Sequence, residues 1–305
     1  MSLDLPALAA AVARHGQVVR VLVLRTAGSV PRAAGTAMLV WEDGQEGTIG
    51  GGALEWEAVI AARAMTGDRL LRTLPLGPAL GQCCGGSVTL VWERFHEGNL
   101  PAALPFVRAI TAAAQPPAPE IALQPGDAPV ERDGWLAETA PLPRRPLWIW
   151  GAGHVGRALV QVLSPLPEWE ITWADIGPDR FPDAPEVTVI PAADLPRLAA
   201  HVPPDAEHLI VTLSHDTDLA LCHALLTRGF AACGLIGSAT KWARFRSRLR
   251  LLGHADAAIS RIACPIGDPS LGKHPQAIAV GVAAALLKQG RAARDEAAAG
   301  EMRTG

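Results

Sequence analysis

The spacing of apolar residues divides the chain into two parts with different patterns. A helix rich in Ala and Leu is predicted after Asp4, and a strand is predicted in the β-branched run 17–24, which is apolar on both faces. Two further short strands and one helix over 53–65 then alternate with glycine clusters. This mixture over residues 1–100 is typical of a small α+β domain.

From residue 147 onward, strand and helix patterns alternate regularly. Strands are predicted at 147–150, 170–174, 186–190, 208–213 and 231–236, and helices from 154, over 217–227 and over 240–251. Such alternation implies right-handed crossovers and a parallel sheet. The predicted fold class is therefore α/β, in which the small α+β domain precedes a Rossmann-like parallel-sheet domain over 147–290.

The segment between these domains and the end of the chain have a different character. Residues 101–146 carry one helical pattern followed by eight prolines, which predicts a semi-rigid connector with a single short strand at 120–124. A last helix is predicted over 276–288, and the polar residues 291–305 that follow it are predicted to be disordered.

Composition and charge exclude several classes of partner. The net charge of −3, from 27 basic and 30 acidic residues, gives no positive field of the kind that nucleic acid requires. The longest wholly apolar run, 277–287, is shorter than the about 20 residues that cross a membrane. An odd number of cysteines, five, and an N-terminal apolar stretch with no basic residue before it predict a cytoplasmic location.

Gly151, Gly153 and Gly156 form a G-x-G-x-x-G motif directly after a predicted strand and at the start of a helix. In this context the first glycine permits a tight turn, the second lets a phosphate approach and the third allows close packing. The helix beginning at His154 offers backbone amides to an anion. Asp175 ends the next strand, where dinucleotide enzymes bind a ribose diol. The alternative is a turn whose glycines serve packing only.

A second glycine cluster, Gly50, Gly51 and Gly52, also leads into a helix and is a candidate anion nest. Glu55 in the first turn of that helix is expected to interact with the helix dipole or to cap it. Arg32, in a neighbouring loop, could pair with a phosphate or brace its own loop.

Cys83 and Cys84 lie between glycines in the run 81–86. Adjacent side chains on extended backbone point to opposite faces, so one thiol is expected to face a ligand. A soft thiolate suits molybdenum or transient sulfur carriage, whereas two small buried side chains in a tight turn are the alternative. Zinc is not expected, because neither CxxC pairs nor histidines occur at ligand spacing.

Further polar residues follow the later strands. His215 comes just after the predicted strand 208–213, at the sheet edge where doubly wound folds bind ligands, and is a candidate proton donor or hydrogen-bonding group. Asp216 and Asp218 are equally consistent with helix capping. Lys241 and Lys273, two of only three lysines, follow glycine-containing turns and could meet a phosphate.

Taken in order, these segments resemble the xanthine dehydrogenase accessory protein family, XdhC/CoxI. The resemblance is carried by residues 28–40, 47–55, 81–86, 151–156, 213–216, 234–238 and 265–267. It implies a chaperone rather than an enzyme. Such a protein binds the molybdenum cofactor, a molybdopterin with one phosphate, while a cysteine desulfurase sulfurates it, and then inserts it into xanthine dehydrogenase. Cofactor biosynthesis proteins are implied as further partners, and handover to a multimeric target favours a homodimer.

We therefore expect the cofactor phosphate near 151–156 and its molybdenum near Cys83 or Cys84. The other expected cofactor contacts are Arg32, Gly50, Gly51, Gly52, Asp175 and His215. The competing interpretation is an NAD(P)-dependent oxidoreductase that uses the glycine motif and Asp175, although no catalyst of the short-chain type is recognisable and the chain has no tyrosine. A third is an interaction protein whose glycine turn binds nothing.

Overall fold

The computed structural model describes residues 3–77, 85–182 and 187–304, with side chains as far as residue 290. Its internal contacts divide the chain into two compact units, Met1–Pro143 and Arg144–Gly305. None of the helices in the described ranges is long and apolar enough to span a membrane.

The first unit is built around a five-stranded antiparallel sheet. Its elements are α1 (Leu5–His15), β1 (Gln17–Ala27), β2 (Ala37–Val40), β3 (Gln45–Gly47), α2 (Gly52–Ala64), β4 (Arg69–Pro75) and β5 (Ser87–His96). The strand order is β3-β2-β1-β5-β4, so the apolar β1 lies at the centre, as expected of a strand buried on both faces. Helix α2 packs on one face through Leu54, Ala58 and Ala62. The predicted α+β domain is confirmed.

Residues 97–143 continue the first unit with a second, three-stranded sheet. After a 3₁₀ turn at Glu97–Asn99 come β6 (Phe106–Ala109), β7 (Val130–Arg132) and β8 (Trp135–Glu138), in the order β6-β8-β7. The helix predicted early in this segment is wrong, because β6 pairs instead with β8, about 30 residues further along. The short strand predicted at 120–124 is also absent.

A buried network of charges joins the two sheets of the first unit. Arg20 of β1 donates to both carboxylate oxygens of Glu138 at 2.9 and 2.7 Å, and Arg108 of β6 donates to Glu138 and to Glu93 of β5. All four residues are at most 5% exposed. The segment that the sequence predicts as a connector therefore holds a sheet that is anchored to the first unit.

The second unit is a six-stranded parallel sheet. Its elements are β9 (Arg145–Trp150), α3 (His154–Leu163), β10 (Trp169–Asp175), β11 (Thr188–Pro191), α4 (Leu195–Ala199), β12 (Glu207–Ile210), α5 (His215–Arg228), β13 (Ala232–Leu235), α6 (Ala239–Leu251), α7 (Asp256–Ile259), β14 (Ile262–Ala263) and α8 (Pro275–Thr304). The strand order is β11-β10-β9-β12-β13-β14. This order confirms the predicted Rossmann-like domain.

Helices cover both faces of this sheet. Successive residues of a strand point to opposite faces, so Ile149 packs in the cluster that includes α3 and α8, whereas Trp150 packs in the cluster that includes α4, α5 and α6. The backbone of α8 remains helical to Thr304, through residues that the sequence predicts to be disordered.

The strand order also creates a switch point. The chain moves outward from β9 to β11, then returns to β12 on the other side of β9. The loops that follow β9 and β12 therefore leave the sheet side by side and lead to helices on opposite faces. In doubly wound sheets this crevice at the carboxyl ends of the strands is the place where ligands bind.

Candidate functional site

The glycine turn after β9 contains three glycines with different environments. Gly151 has φ +116°, and a Cβ there would lie 2.6 Å from the Val211 carbonyl oxygen. A Cβ at Gly156 would overlap the Gly151 carbonyl oxygen. These two positions therefore require glycine for the turn and for the close packing of α3 on the sheet, as the sequence analysis expects.

Gly153 is open where the other two glycines are enclosed. Its φ of −74° suits any residue, and the nearest atom to a Cβ there would be the Leu213 Cδ2, at 3.8 Å. No side chain caps α3 at this position. His154, the first residue of the helix, is exposed. The first-turn amides of α3 are therefore accessible, and with the helix dipole they form a site that favours a small anion.

Asp175 ends β10 and is turned toward the glycine turn. Its Oδ2 accepts a hydrogen bond from the Ala152 amide at 2.5 Å, and its Oδ1 accepts one from the Ile176 amide at 2.6 Å. The Arg180 Nε lies 3.5 Å from Oδ2. Both carboxylate oxygens are thus engaged within the protein, so Asp175 braces the turn. Contact between Asp175 and a ribose stays a prediction.

The loop after β12 brings a second helix start to the switch point. Ser214 caps α5 by accepting a hydrogen bond from the Thr217 amide at 3.2 Å, and His215 is the first residue of that helix. The imidazole of His215 is exposed, and so is the Leu213 side chain. His154 and His215 therefore begin the two helices that flank the crevice.

A buried ion pair next to this loop is a feature that the sequence analysis missed. Asp218 is fully buried and accepts a hydrogen bond from the Lys241 Nζ at 2.5 Å and one from the Thr212 hydroxyl at 2.7 Å. Lys241 also donates to the Ile236 carbonyl at 3.0 Å. The pair ties the loops after β12 and β13 together. The rarity of lysine in the chain was the one available signal, since Asp218 is otherwise typical of a helix start.

The described thiols are poor candidates for a metal or sulfur contact. Burial raises the pKa of Cys222 to about 12 and that of Cys264 to about 11, and it raises the pKa of Cys233 well above its usual value. These groups stay protonated at neutral pH, and only the thiolate is a good ligand. No group of three or more His, Cys, Asp or Glu side chains suited to a metal occurs in the described ranges.

In the first unit, close backbone approaches bring three glycine-containing loops together. A Cβ at Gly50 would lie 2.6 Å from Pro31, and a Cβ at Gly86 would collide with the carbonyl oxygens of Ala27 and Ser29. The loops after β1 and β3 and the start of β5 therefore meet. Cys83 and Cys84 lie outside the described residues, and Gly85 and Gly86, which follow them in sequence, lie against Gly28 in the loop after β1.

The glycine nest formed by Gly50, Gly51 and Gly52 is held by a carboxylate of the protein itself. All three glycines have positive φ, and Glu55 reaches back over them from α2. Its carboxylate accepts hydrogen bonds from the Thr48 hydroxyl, the Ile49 and Gly51 amides and the Gln45 side chain, at 2.5, 3.0, 3.1 and 2.9 Å.

These bonds also decide the ionisation of Glu55. Partial burial raises the pKa of this carboxyl, but the four hydrogen bonds together lower the pKa by more than burial raises it. The pKa of Glu55 is therefore below its usual value. Cofactor binding by Gly50, Gly51 and Gly52 stays a prediction, and an anion there would have to displace Glu55. Arg32 nearby is exposed and, within the described chain, forms no hydrogen bond or ion pair.

Comparison with known families agrees with both units. Residues 147–286 match the family described as the XdhC Rossmann domain, and residues 11–74 match the XdhC and CoxI family. The two matches lie in the predicted order and together span about two thirds of the chain. The chain belongs to the XdhC and CoxI family. The resemblance inferred from the sequence is confirmed, and the glycine turn described above lies within the XdhC Rossmann domain.

One solved structure shares the fold of this XdhC family member over 96% of the chain. A solved protein from Bacillus halodurans, described as a xanthine dehydrogenase, is 21% identical, with 96% of each chain covered and a TM-score of 0.71. At this identity the likeness shows the shared fold alone. The protein YqeB of Escherichia coli (strain K12), described as uncharacterized, is 29% identical over 150 residues, which are 48% of this chain and 27% of YqeB. The match thus spans about a quarter of that relative.

Proposed function

We propose that this XdhC family protein is a carrier of the molybdenum cofactor that serves the maturation of xanthine dehydrogenase. The cofactor is its cargo, held and shielded until it is passed to the apo-enzyme. In this proposal the protein is an accessory protein rather than a catalyst. The observation that carries the proposal is the open glycine turn at the switch point of the XdhC Rossmann domain.

The turn fits the one phosphate of molybdopterin. A single phosphate needs a few aligned amides, and the uncapped start of α3 supplies them together with the positive end of the helix dipole. Gly153 leaves space for the phosphate to approach. This mode of binding needs no basic surface, which agrees with the net charge of −3. His154 and His215 stand beside the turn as further donors to the cargo.

The metal end of the cofactor is proposed to meet Cys83 or Cys84. The three described cysteines have raised pKa values, so they do not offer a thiolate at neutral pH. Gly86 follows the cysteine pair closely in sequence and lies against Ser29 in the loop after β1, which also carries Arg32. In this proposal one thiol of the pair contacts the molybdenum of the cargo.

The partners follow from this role. We propose a cysteine desulfurase as the sulfur donor, cofactor biosynthesis proteins as the source of the cargo and xanthine dehydrogenase as its recipient. A cytoplasmic homodimer is the form proposed for this exchange. The oxidoreductase alternative depends on the glycine motif and on Asp175, whose two oxygens each accept one backbone hydrogen bond.

The test is reconstitution of apo-xanthine dehydrogenase with isolated cofactor, a sulfur source and this protein, compared with the same mixture without it. We expect higher xanthine oxidation when the protein is present. The variant Gly153→Asp should abolish most of this gain, because a carboxylate at the helix start repels the phosphate. The matched variant Gly153→Asn has the same shape without the charge and should retain at least part of the gain.

Both substitutions are compatible with the fold, because Gly153 has negative φ and open surroundings. Asn and Asp are also better helix caps than Gly, so unfolding temperatures should not fall. Equal activation with and without the protein would contradict the proposed function. Equal activation by the Asp and Asn variants would show that the cofactor phosphate does not bind at the glycine turn.

A further inference from the structure

The first unit contains a cavity at the end of its sheet that lies away from the glycine-containing loops. The volume of the cavity is about 700 Å³, within the about 300–1,000 Å³ that small-molecule sites occupy. It is bounded by the start of β1, the end of β2, the last turns of α2 and the end of β5. The glycine-containing loops adjoin the opposite ends of these elements, and α2, with 13 residues, is about 20 Å long. The cavity is therefore separate from the loops beside the cysteine pair.

Arg94, near the end of β5, lines this cavity and lacks a counter-ion. Its Nη2 donates a hydrogen bond to the Met65 carbonyl oxygen, whereas its Nε is buried and has no hydrogen-bond partner in the described ranges. The guanidinium forms no ion pair with any carboxylate in that part of the chain. A half-buried charge without a partner is costly, because it has lost part of its hydration. An anion in the cavity would supply the missing partner.

Two further polar side chains add donors to the wall. Arg63 of α2 donates hydrogen bonds to the carbonyl oxygens of Trp41 and Gly44 at 3.2 and 3.4 Å, but it pairs with no carboxylate of the described residues. The side-chain amide of Gln17 also lines the cavity and forms no hydrogen bond within the described chain. The wall thus offers two guanidinium groups and one amide to a ligand.

Negative charge lies elsewhere on the same wall. Glu42 and Asp43 belong to the turn between β2 and β3, and both are exposed. Neither side chain forms a hydrogen bond or an ion pair with another described residue. With His15 counted as neutral, the lining carries two positive and two negative side chains. A ligand with one charge of each sign therefore fits better than a polyanion, which the two acids repel.

We propose that this cavity binds a small zwitterion of the amino-acid type, whose carboxylate pairs with Arg94 and whose ammonium group faces Glu42 and Asp43. A guanidinium matches the geometry of a carboxylate, because its planar N–H groups can donate to both oxygens. The volume leaves room for the side chain of the ligand. The site goes beyond the proposed function and does not depend on it.

The test is a ligand-detected NMR titration of the full chain with each of the twenty common L-amino acids, added separately. We expect at least one of them to bind with a Kd below about 1 mM. The decarboxylated amine and the N-acetyl derivative of that amino acid each lack one charge, and each should bind about tenfold more weakly. Failure of all twenty amino acids to bind would overturn the inference, and so would an amine that binds as tightly as its amino acid.

A variant of Arg94 separates the carboxylate contact from general surface effects. Arg94→Gln keeps a hydrogen-bond donor but removes the charge, so it should weaken binding of the amino acid about tenfold and leave binding of the amine unchanged. Arg72→Gln is the matched control, because Arg72 of β4 is exposed, lies outside this wall and has no hydrogen bond or ion pair among the described residues. Equal affinities of Arg94→Gln and Arg72→Gln for the amino acid would overturn the pairing with Arg94.

The double variant Glu42→Gln with Asp43→Asn tests the other end of the ligand. It should lose the preference of the wild type for the amino acid over its N-acetyl derivative, whereas Arg94→Gln should keep that preference. Both acids are exposed, so the double variant decides the matter even if Arg94→Gln lowers the unfolding temperature. A preference that persists in the double variant would overturn the assignment of the ammonium group. None of these measurements involves molybdenum, so they are independent of the activation of xanthine dehydrogenase.

Discussion

Single side chains in this molecule differ in how far the sequence reveals them. The roles of Gly151 and Gly156 were predictable, because they depend on steric limits within one short motif. The hydrogen-bond partners of Asp175 and Glu55 were harder to predict from the sequence. Each carboxylate is bound by backbone amides that it meets only once its loop is folded, and a carboxylate that binds amides of the protein has the same sequence signature as one that binds a ligand.

His208 is a residue whose burial has a measurable effect on stability. It is 1% exposed, its Nδ1 accepts a hydrogen bond from the Trp150 indole at 3.3 Å, and burial lowers its pKa from 6.5 to about 4. The neutral ring is therefore favoured in the folded state. Above pH 6.5 the protonation of His208 does not change the free energy of unfolding. Between pH 6.5 and 4 the unfolded chain binds a proton at His208 that the folded chain does not, so the free energy of unfolding falls with pH.

We expect the free energy of unfolding to fall by about 2 kcal/mol between pH 7 and pH 4.5 through this group alone. His208→Gln, which keeps a hydrogen-bond acceptor but does not titrate in this range, should lose that part of the pH dependence. His201→Gln, at an exposed histidine, should keep it. Urea unfolding of the three proteins at both pH values measures the difference. A His208→Gln profile parallel to the wild type would show that His208 does not titrate in this way.

At the scale of elements, the prediction failed where pairing partners are distant in sequence. The helical pattern early in 101–146 is real, but β6 is fixed by its pairing with β8 and by contacts with the first sheet. Strands β7 and β8 were not predicted, because the many prolines in 116–146 favour an irregular connector over strands. The strands of the second unit were easier to predict from the sequence, because each is a short apolar run followed closely by its own helix.

The buried charges that join β1, β5, β6 and β8 lead to a prediction for Glu138. Burial raises the pKa of this carboxyl, but Arg20 and Arg108 lower it more, so its pKa is below the usual value. The carboxylate therefore stabilises the fold above its unfolded pKa, and this contribution is lost as the pH falls through the folded pKa.

Glu138→Gln should destabilise the protein by about 3 to 5 kcal/mol at pH 7, because it leaves two buried guanidinium groups short of negative charge. Glu131→Gln is the control on β7, where the partner Arg25 is 61% exposed, and it should cost less than about 1 kcal/mol. Denaturant unfolding at pH 7 measures both. Similar losses in the two variants would mean that burial does not strengthen this network.

At the scale of the whole molecule, the order of the two units and the fold of each were predictable from the sequence. The glycine motif, the alternation after residue 147 and the resemblance across both units agreed with one another, and agreement between independent levels is what makes a fold prediction secure. The chemical state of the cysteines could be predicted only in part from the sequence. Cys222 and Cys233 lie in the apolar patterns of α5 and β13, and both are buried.

The distribution of thiols over the molecule gives a prediction for the cargo. If Cys83 or Cys84 contacts molybdenum, then Cys83→Ala or Cys84→Ala should lower the molybdenum that stays bound after gel filtration by several fold. Cys264→Ala should not, because burial raises the pKa of the Cys264 thiol to about 11. Elemental analysis of the protein fractions measures the retained metal. Full retention in both single variants and in the double variant would remove the pair from the proposal.

The Glu55 carboxylate over the glycine nest has a consequence for work with this protein in solution. Because Glu55 is covalently attached, its local concentration at those amides far exceeds that of any phosphate or sulfate in a buffer. Such anions gain little by binding to this nest, whereas the uncapped α3 has no tethered competitor. Of these two glycine turns, α3 is therefore the one at which bound phosphate is expected to raise the unfolding temperature by mass action.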